Sequence, residues 1–147
     1  MRANRREAAA LAKLLKVART KAEEAGRQTA ALEAALSKTD EALHLLAASV
    51  SSEEEAARAA ELVGFTQLAG FLAGAGIKRS ALLETRAEIL SELQTARPAL
   101  AEAFAEMKRL EHLIGRSRLA QADQKRKAEG AALDSAGLVR FARARMD

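Results

Sequence analysis

His44 and His112 are the only imidazoles in the chain, and there is no cysteine. A proton-transfer or metal site built on histidine needs a second ligand or an orienting partner on the same face. Neither histidine has one at a suitable spacing, so both read as solvated surface groups. The lack of thiols excludes disulfide scaffolds and thiolate zinc sites. Carboxylates recur at i, i+4 but alternate with Lys and Arg, the pattern of a solvated helix face held by weak ion pairs. The stretch Gly64 to Gly76 holds four of the eight glycines. It is not a P-loop, because the second glycine required after Gly70 is Ala75 and Lys78 does not follow it. It is not a dinucleotide fingerprint either, since no strand precedes it. With no catalytic constellation, cofactor site or metal site in the pattern, the expectation is a protein that is not an enzyme.

The elements that would carry these residues are helices. Ala, Leu, Glu, Lys and Arg supply two-thirds of the 147 residues, with only four aromatics, all Phe, and one Pro. That mixture favours helix and, with a heptad period, a coiled coil, whereas sheet architectures need β-branched and aromatic residues that are scarce here. Steps of four and three from Leu11 reach Leu15, Ala18, Ala22, Ala25, Thr29, Leu32, Leu36, Thr39, Leu43, Leu46 and Val50. A second series runs Leu82, Arg86, Ile89, Leu93, Ala96, Leu100, Ala103, Met107, Leu110 and Ile114. In each, the apolar residues fall every 3.5 positions, as a helix seam requires. Beyond Gly115 the seam fades and partly recovers at Leu133, Leu138 and Phe141.

Between the two seams, Ser52 and Glu55 have capping-box spacing, and the acidic run Glu53-Glu54-Glu55 suits a first turn. This predicts a helix end near Val50 and a restart near Glu53. Glycines cost helix interiors about 1 kcal/mol each, so the glycine-rich stretch should be the weakest helical region. The expected architecture is all-α: a long antiparallel two-helix coiled-coil hairpin with a short helical or irregular middle segment. The whole of 1–147 forms one domain, with helix one over about 5–50, the middle over about 51–80, and helix two over about 81–145. Pro98 lies within the second seam without breaking its phase, which predicts a kink in a continuous helix.

Charge is unevenly spread. Residues 1–21 carry +6, residues 22–115 carry −6 and residues 116–147 carry +4. A hairpin would bring both basic ends together and leave the body acidic, giving a bipolar rod. Arg2, Arg5, Arg6, Lys125, Arg126, Lys127, Arg140, Arg143 and Arg145 are therefore candidates for binding an acidic partner. Nucleic acid is not expected: the basic groups are split between both termini, and there is no Trp or Tyr to stack bases. Phe65, Leu68, Phe71 and Leu72 lie where a two-helix turn buries little, so they form either a small local core or a partner-binding apolar patch. Lys13 and Lys16 interrupt the apolar run a signal peptide needs. The least charged stretch, Leu62 to Ile77, is 16 residues with Thr66, Gln67 and four glycines, short of a membrane span. A soluble chain is expected.

The opening Leu11-Ala12-Lys13-Leu14-Leu15-Lys16-Val17-Ala18-Arg19-Thr20-Lys21-Ala22-Glu23-Glu24-Ala25 resembles that of FliJ-family proteins, with a leucine seam followed by Lys-x-Glu-Glu-Ala. The run from Ala31-Leu32 to Leu43-x2-Leu46 continues the resemblance. So do Lys127-Ala128-Glu129, Leu133-Asp134 and the basic tail. These are small soluble coiled-coil components of flagellar type III export, similar to the YscO-type stalks of virulence secretion. The resemblance implies an antiparallel two-helix coiled coil acting between the hexameric export ATPase, the cytoplasmic part of the export gate, and export chaperones. It also implies a cytoplasmic location, peripheral to the membrane only through those partners. Ser135 stands where the family often has a second acid, and the glycine-rich middle is a further departure. Three other readings stay open: a stalk of virulence type III secretion, a generic coiled-coil scaffold, homodimeric through the same seams, and a nucleic-acid-binding helical protein.

Overall fold

The computed structural model describes Arg2–Met146; Met1 and Asp147 lie outside the described residues, as do the side chains of Arg2 and Ala3. The described chain is entirely α-helical, with one interruption at Glu61. Glu61 has φ 58° and ψ −134°, a conformation that crowds any Cβ. We call residues 2–60 the first arm and residues 62–146 the second.

Both heptad series are covered. All twelve positions from Leu11 to Val50 are buried or half-buried, as are all ten from Leu82 to Ile114. Leu93, the most enclosed large side chain, is 1% exposed. Two of the buried positions are polar, Thr29 and Thr39, and each satisfies its hydroxyl within its own helix. Thr29 Oγ1 donates to the Ala25 carbonyl at 2.8 Å, and Thr39 Oγ1 to the Ala35 carbonyl at 2.9 Å. A threonine can therefore replace Leu on a seam without leaving a buried group unpaired.

The chain forms two compact units: Met1–Thr20 with Phe104–Asp147, and Lys21–Ala103. Within the second, Arg86 donates to Asp40 at 2.7 Å, and Arg97 lies 3.6 Å from Glu33. A Cβ on Gly26 would stand 3.9 Å from Leu100. Within the first unit, Arg19 lies 3.6 Å from Glu111. Across Lys21–Ala103, as residue numbers in the first arm fall, those of their partners in the second arm rise. Arg86, the one non-apolar residue of the second series, is half-buried; its stem lies along the seam while its head reaches Asp40.

Three expectations are corrected. The helix does not end near Val50 and restart near Glu53, because residues 51–60 are helical throughout. Ser51 and Ser52 are exposed on a helix already propagating into the strong formers Ala56 to Ala60, so their capping capacity goes unused. The middle is not irregular over 51–80, since Glu61 alone departs from helical angles. Gly70, Gly74 and Gly76 stay helical, and no glycine has positive φ. Gly64 has a different role. A Cβ there would lie 2.7 Å from the carbonyl oxygen of Ala57, which is 3% exposed. Only glycine lets the backbone after Glu61 close onto Ala57. The third correction concerns Leu133, Leu138 and Phe141, where the seam does not recover as a covered face. Every residue from 118 to 146 is exposed. Pro98 lies inside the helix, which continues through it.

Candidate functional site

The predicted basic residues are brought into one unit by the fold. Met1–Thr20 and Phe104–Asp147 contribute sixteen Lys/Arg against seven Asp/Glu, a formal +9, whereas Lys21–Ala103 carries −5. A groove between the arms is lined by Asn4, Arg5, Gln121, Gln124, Lys125 and Ala128, so Arg5 and Lys125 border the same depression. Arg6, Arg126 and Lys127 are exposed beside it. Lys127 lies 3.6 Å from Asp123, one turn back on its own helix. Arg140, Arg143 and Arg145 are exposed farther along the second arm; Arg145 covers the Phe141 ring, 5.2 Å from its centroid. Arg2 has no described side chain.

Next to this groove, Ala8, Leu11 and Leu15 line a second one with Ile114, Gly115 and Arg118, together with the paired Arg19 and Glu111. The lining of the Arg5–Lys125 groove extends along the second arm to Ala128.

The predicted apolar patch divides. Leu72 lines a groove with Leu43, Leu46, Val50 and Ala75, and so belongs partly to the interface between the arms. Leu68 and Phe71 are half-buried. Phe65 is 57% exposed and is joined just after the break at Glu61 by Leu62 and Val63, at 80% and 69%. Leu62 and Val63 escaped the sequence reading because their exposure depends on the break falling at Glu61, and nothing in the residue types marks that position.

His44 and His112 are both exposed. Among the described residues no group of three or more His, Asp or Glu converges as a metal site would require. One 18-residue helical window reaches a mean hydropathy of 1.3, enough by length and composition to cross a membrane, with 11% of it buried. The fold and surface together define a class: an all-α chain of two helical arms, strongly basic in one unit and acidic in the other. Compared with protein-family models, with curated proteins and with solved structures, the chain matches none.

Proposed function

We propose that this chain is an antiparallel two-helix coiled-coil hairpin that serves, without enzymatic activity, as a soluble stalk or adaptor in flagellar type III export. In this reading it acts in the cytoplasm between the hexameric export ATPase, the cytoplasmic domain of the export gate and export chaperones. The observation that carries the hairpin is the order of the inter-arm pairs: Glu33 with Arg97 and Asp40 with Arg86 in one unit, Arg19 with Glu111 in the other. In a continuous helix Asp40 and Arg86 would stand about 69 Å apart at 1.5 Å per residue. The export assignment is supported by the resemblance of the opening and tail segments, and by the separation of +9 from −5 between the units.

A basic unit is steered toward an acidic ring, with association that weakens as salt screens it. The exposed turn offers Phe65, with Leu62 and Val63, to a partner needing an apolar contact. A tagged chain used as bait in nuclease-treated lysate, at low and moderate salt, tests the assignment. Recovery of the export ATPase or gate protein, identified by mass spectrometry and falling with salt, is the expected result. Recovery of the bait alone as a stable dimer leaves a coiled-coil scaffold and overturns the export reading. Partners lost on nuclease treatment overturn it in favour of nucleic-acid binding.

A further inference from the structure

The groove that Arg5 and Lys125 share is walled by like charges. In this unit one flank of the arm interface carries the Arg19–Glu111 pair. One heptad back along the first arm and one heptad on along the second, that flank holds Ala12 and Arg118, which line the adjoining groove together. A further heptad brings Arg5 to the same groove as Lys125. Where the Arg19–Glu111 pair sets opposite charges against each other, this position sets two cations. The seam changes at the same place: Leu11 gives way to Asn4, and Leu110 and Ile114 to Ser117, Gln121 and Gln124. The amides of Asn4, Gln121 and Gln124 line the groove between the two cations. Among the described residues no carboxylate is in ion-pair contact with Arg5, Arg118 or Lys125. Glu111 is engaged by Arg19 and Lys108, at 3.6 and 3.3 Å, and Glu129, one turn past Lys125, stands outside the groove lining.

Facing cations repel, and amides at seam positions forgo the apolar burial that leucines supply elsewhere. An anion seated between the walls offsets both. We propose that this groove binds a phosphate group, its oxygens bridging Arg5 and Lys125. The side-chain amides of Asn4, Gln121 and Gln124 donate to it from the groove floor, and Arg118 adds charge from the adjoining groove. A phosphate monoester suits two facing cations better than a carboxylate does. It carries nearly two negative charges and three strong acceptor oxygens, where a carboxylate has one charge and two oxygens. The same group is offered by soluble phosphate compounds and by phosphomonoester lipid headgroups, and the groove is open to either. The inference rests on the hairpin reading and not on the export assignment.

The probe is inorganic pyrophosphate, titrated into the full chain by calorimetry at about 50 mM salt, where screening is weak. One molecule per chain should bind with a Kd of about 1 mM or tighter. The variant Arg5→Gln with Lys125→Gln should lose about tenfold or more in affinity. Arg140→Gln with Arg143→Gln removes the same charge from the same unit and should stay within about twofold of the native chain. Equal losses in the two variants would mean diffuse attraction to the unit and overturn the site, as would no binding of pyrophosphate. Sedimentation with phosphatidylcholine vesicles, with and without phosphatidic acid, distinguishes the sources. Phosphatidic-acid-dependent sedimentation that the Arg5–Lys125 variant loses assigns the site to a lipid headgroup, and pyrophosphate binding without sedimentation assigns it to a soluble compound. A melting cycle separates failure of the site from failure of the hairpin. Arg5→Glu should change Tm more favourably in the native chain than in a Lys125→Glu background, because only facing residues couple. Coupling without pyrophosphate binding sinks the phosphate inference alone; strictly additive changes sink the hairpin beneath it.

Discussion

Exchanging the two residues that shape the turn tests the break at Glu61 through the sign of the response. Glu61 holds φ 58° and ψ −134°, and such backbone strain costs about 1–3 kcal/mol in a residue with a Cβ. Glu61→Gly removes that strain but raises unfolded-chain entropy, a loss of about 0.5–1 kcal/mol. The net gain is about 1 kcal/mol, or roughly 2–4 °C in Tm for a chain of this size. Gly64→Ala works in the opposite direction. Its new methyl would meet the Ala57 carbonyl oxygen at 2.7 Å and the Ala57 Cα at 2.9 Å, both backbone atoms that cannot rotate away. Overpacking of this kind costs about 1–3 kcal/mol and outweighs the roughly 1 kcal/mol that alanine gains in a helix. An unbroken helix through residues 57–64 reverses both signs, because glycine then lowers helix stability at 61 and alanine raises it at 64. Thermal melts followed by circular dichroism decide between them. A higher Tm for Gly64→Ala together with a lower one for Glu61→Gly would refute the turn.

Leu93→Ala should cost about 2–5 kcal/mol by denaturant unfolding, since Leu93 is almost fully enclosed. Leu133→Ala should leave stability within about 0.5 kcal/mol in the same assay. A double-mutant cycle with Asp40→Ala and Arg86→Ala should give a coupling of about 0.2–1 kcal/mol that shrinks in high salt, because the 2.7 Å contact is short but its side chains are 39% and 47% exposed. Phe65→Ala together with Leu62→Ala should leave the melt nearly unchanged while weakening gate recovery in the lysate experiment. Lost stability would instead assign these side chains to a local core.

The covered face of each arm was legible because a helix seam has a period, and the period survives Thr29, Thr39, Arg86 and Pro98. The turn was not. Ser51, Ser52 and Glu53 to Glu55 carry the chemistry of a helix start, yet a helix with strong formers on both sides runs through them. The glycine stretch suggested irregular backbone, but a few kcal/mol of propensity spread over Gly70, Gly74 and Gly76 does not stop a helix with seam residues Leu72 and Ala75 to cover. The real break is a single glutamate whose residue type gives no warning, and its position decides what is left uncovered. Leu133, Leu138 and Phe141 are exposed although their apolar character suggested a recovering seam. The basic candidates were legible from charge counts alone. Their placement in one unit follows from the pairing of the arms.

The most direct measurement is a dipolar distance between nitroxides at Ala9 and Ala122, exposed positions on the two arms within one unit. The cysteine-free sequence allows both labels to be placed through introduced cysteines without removing a native one. The hairpin predicts a separation of one helix pair, about 10 Å between axes plus the label linkers. A continuous helix would put the two labels about 170 Å apart at 1.5 Å per residue. A single short distance in the dilute monomer supports the account. Loss of the dipolar signal in monomer, or its return only at dimer-forming concentrations, contradicts it.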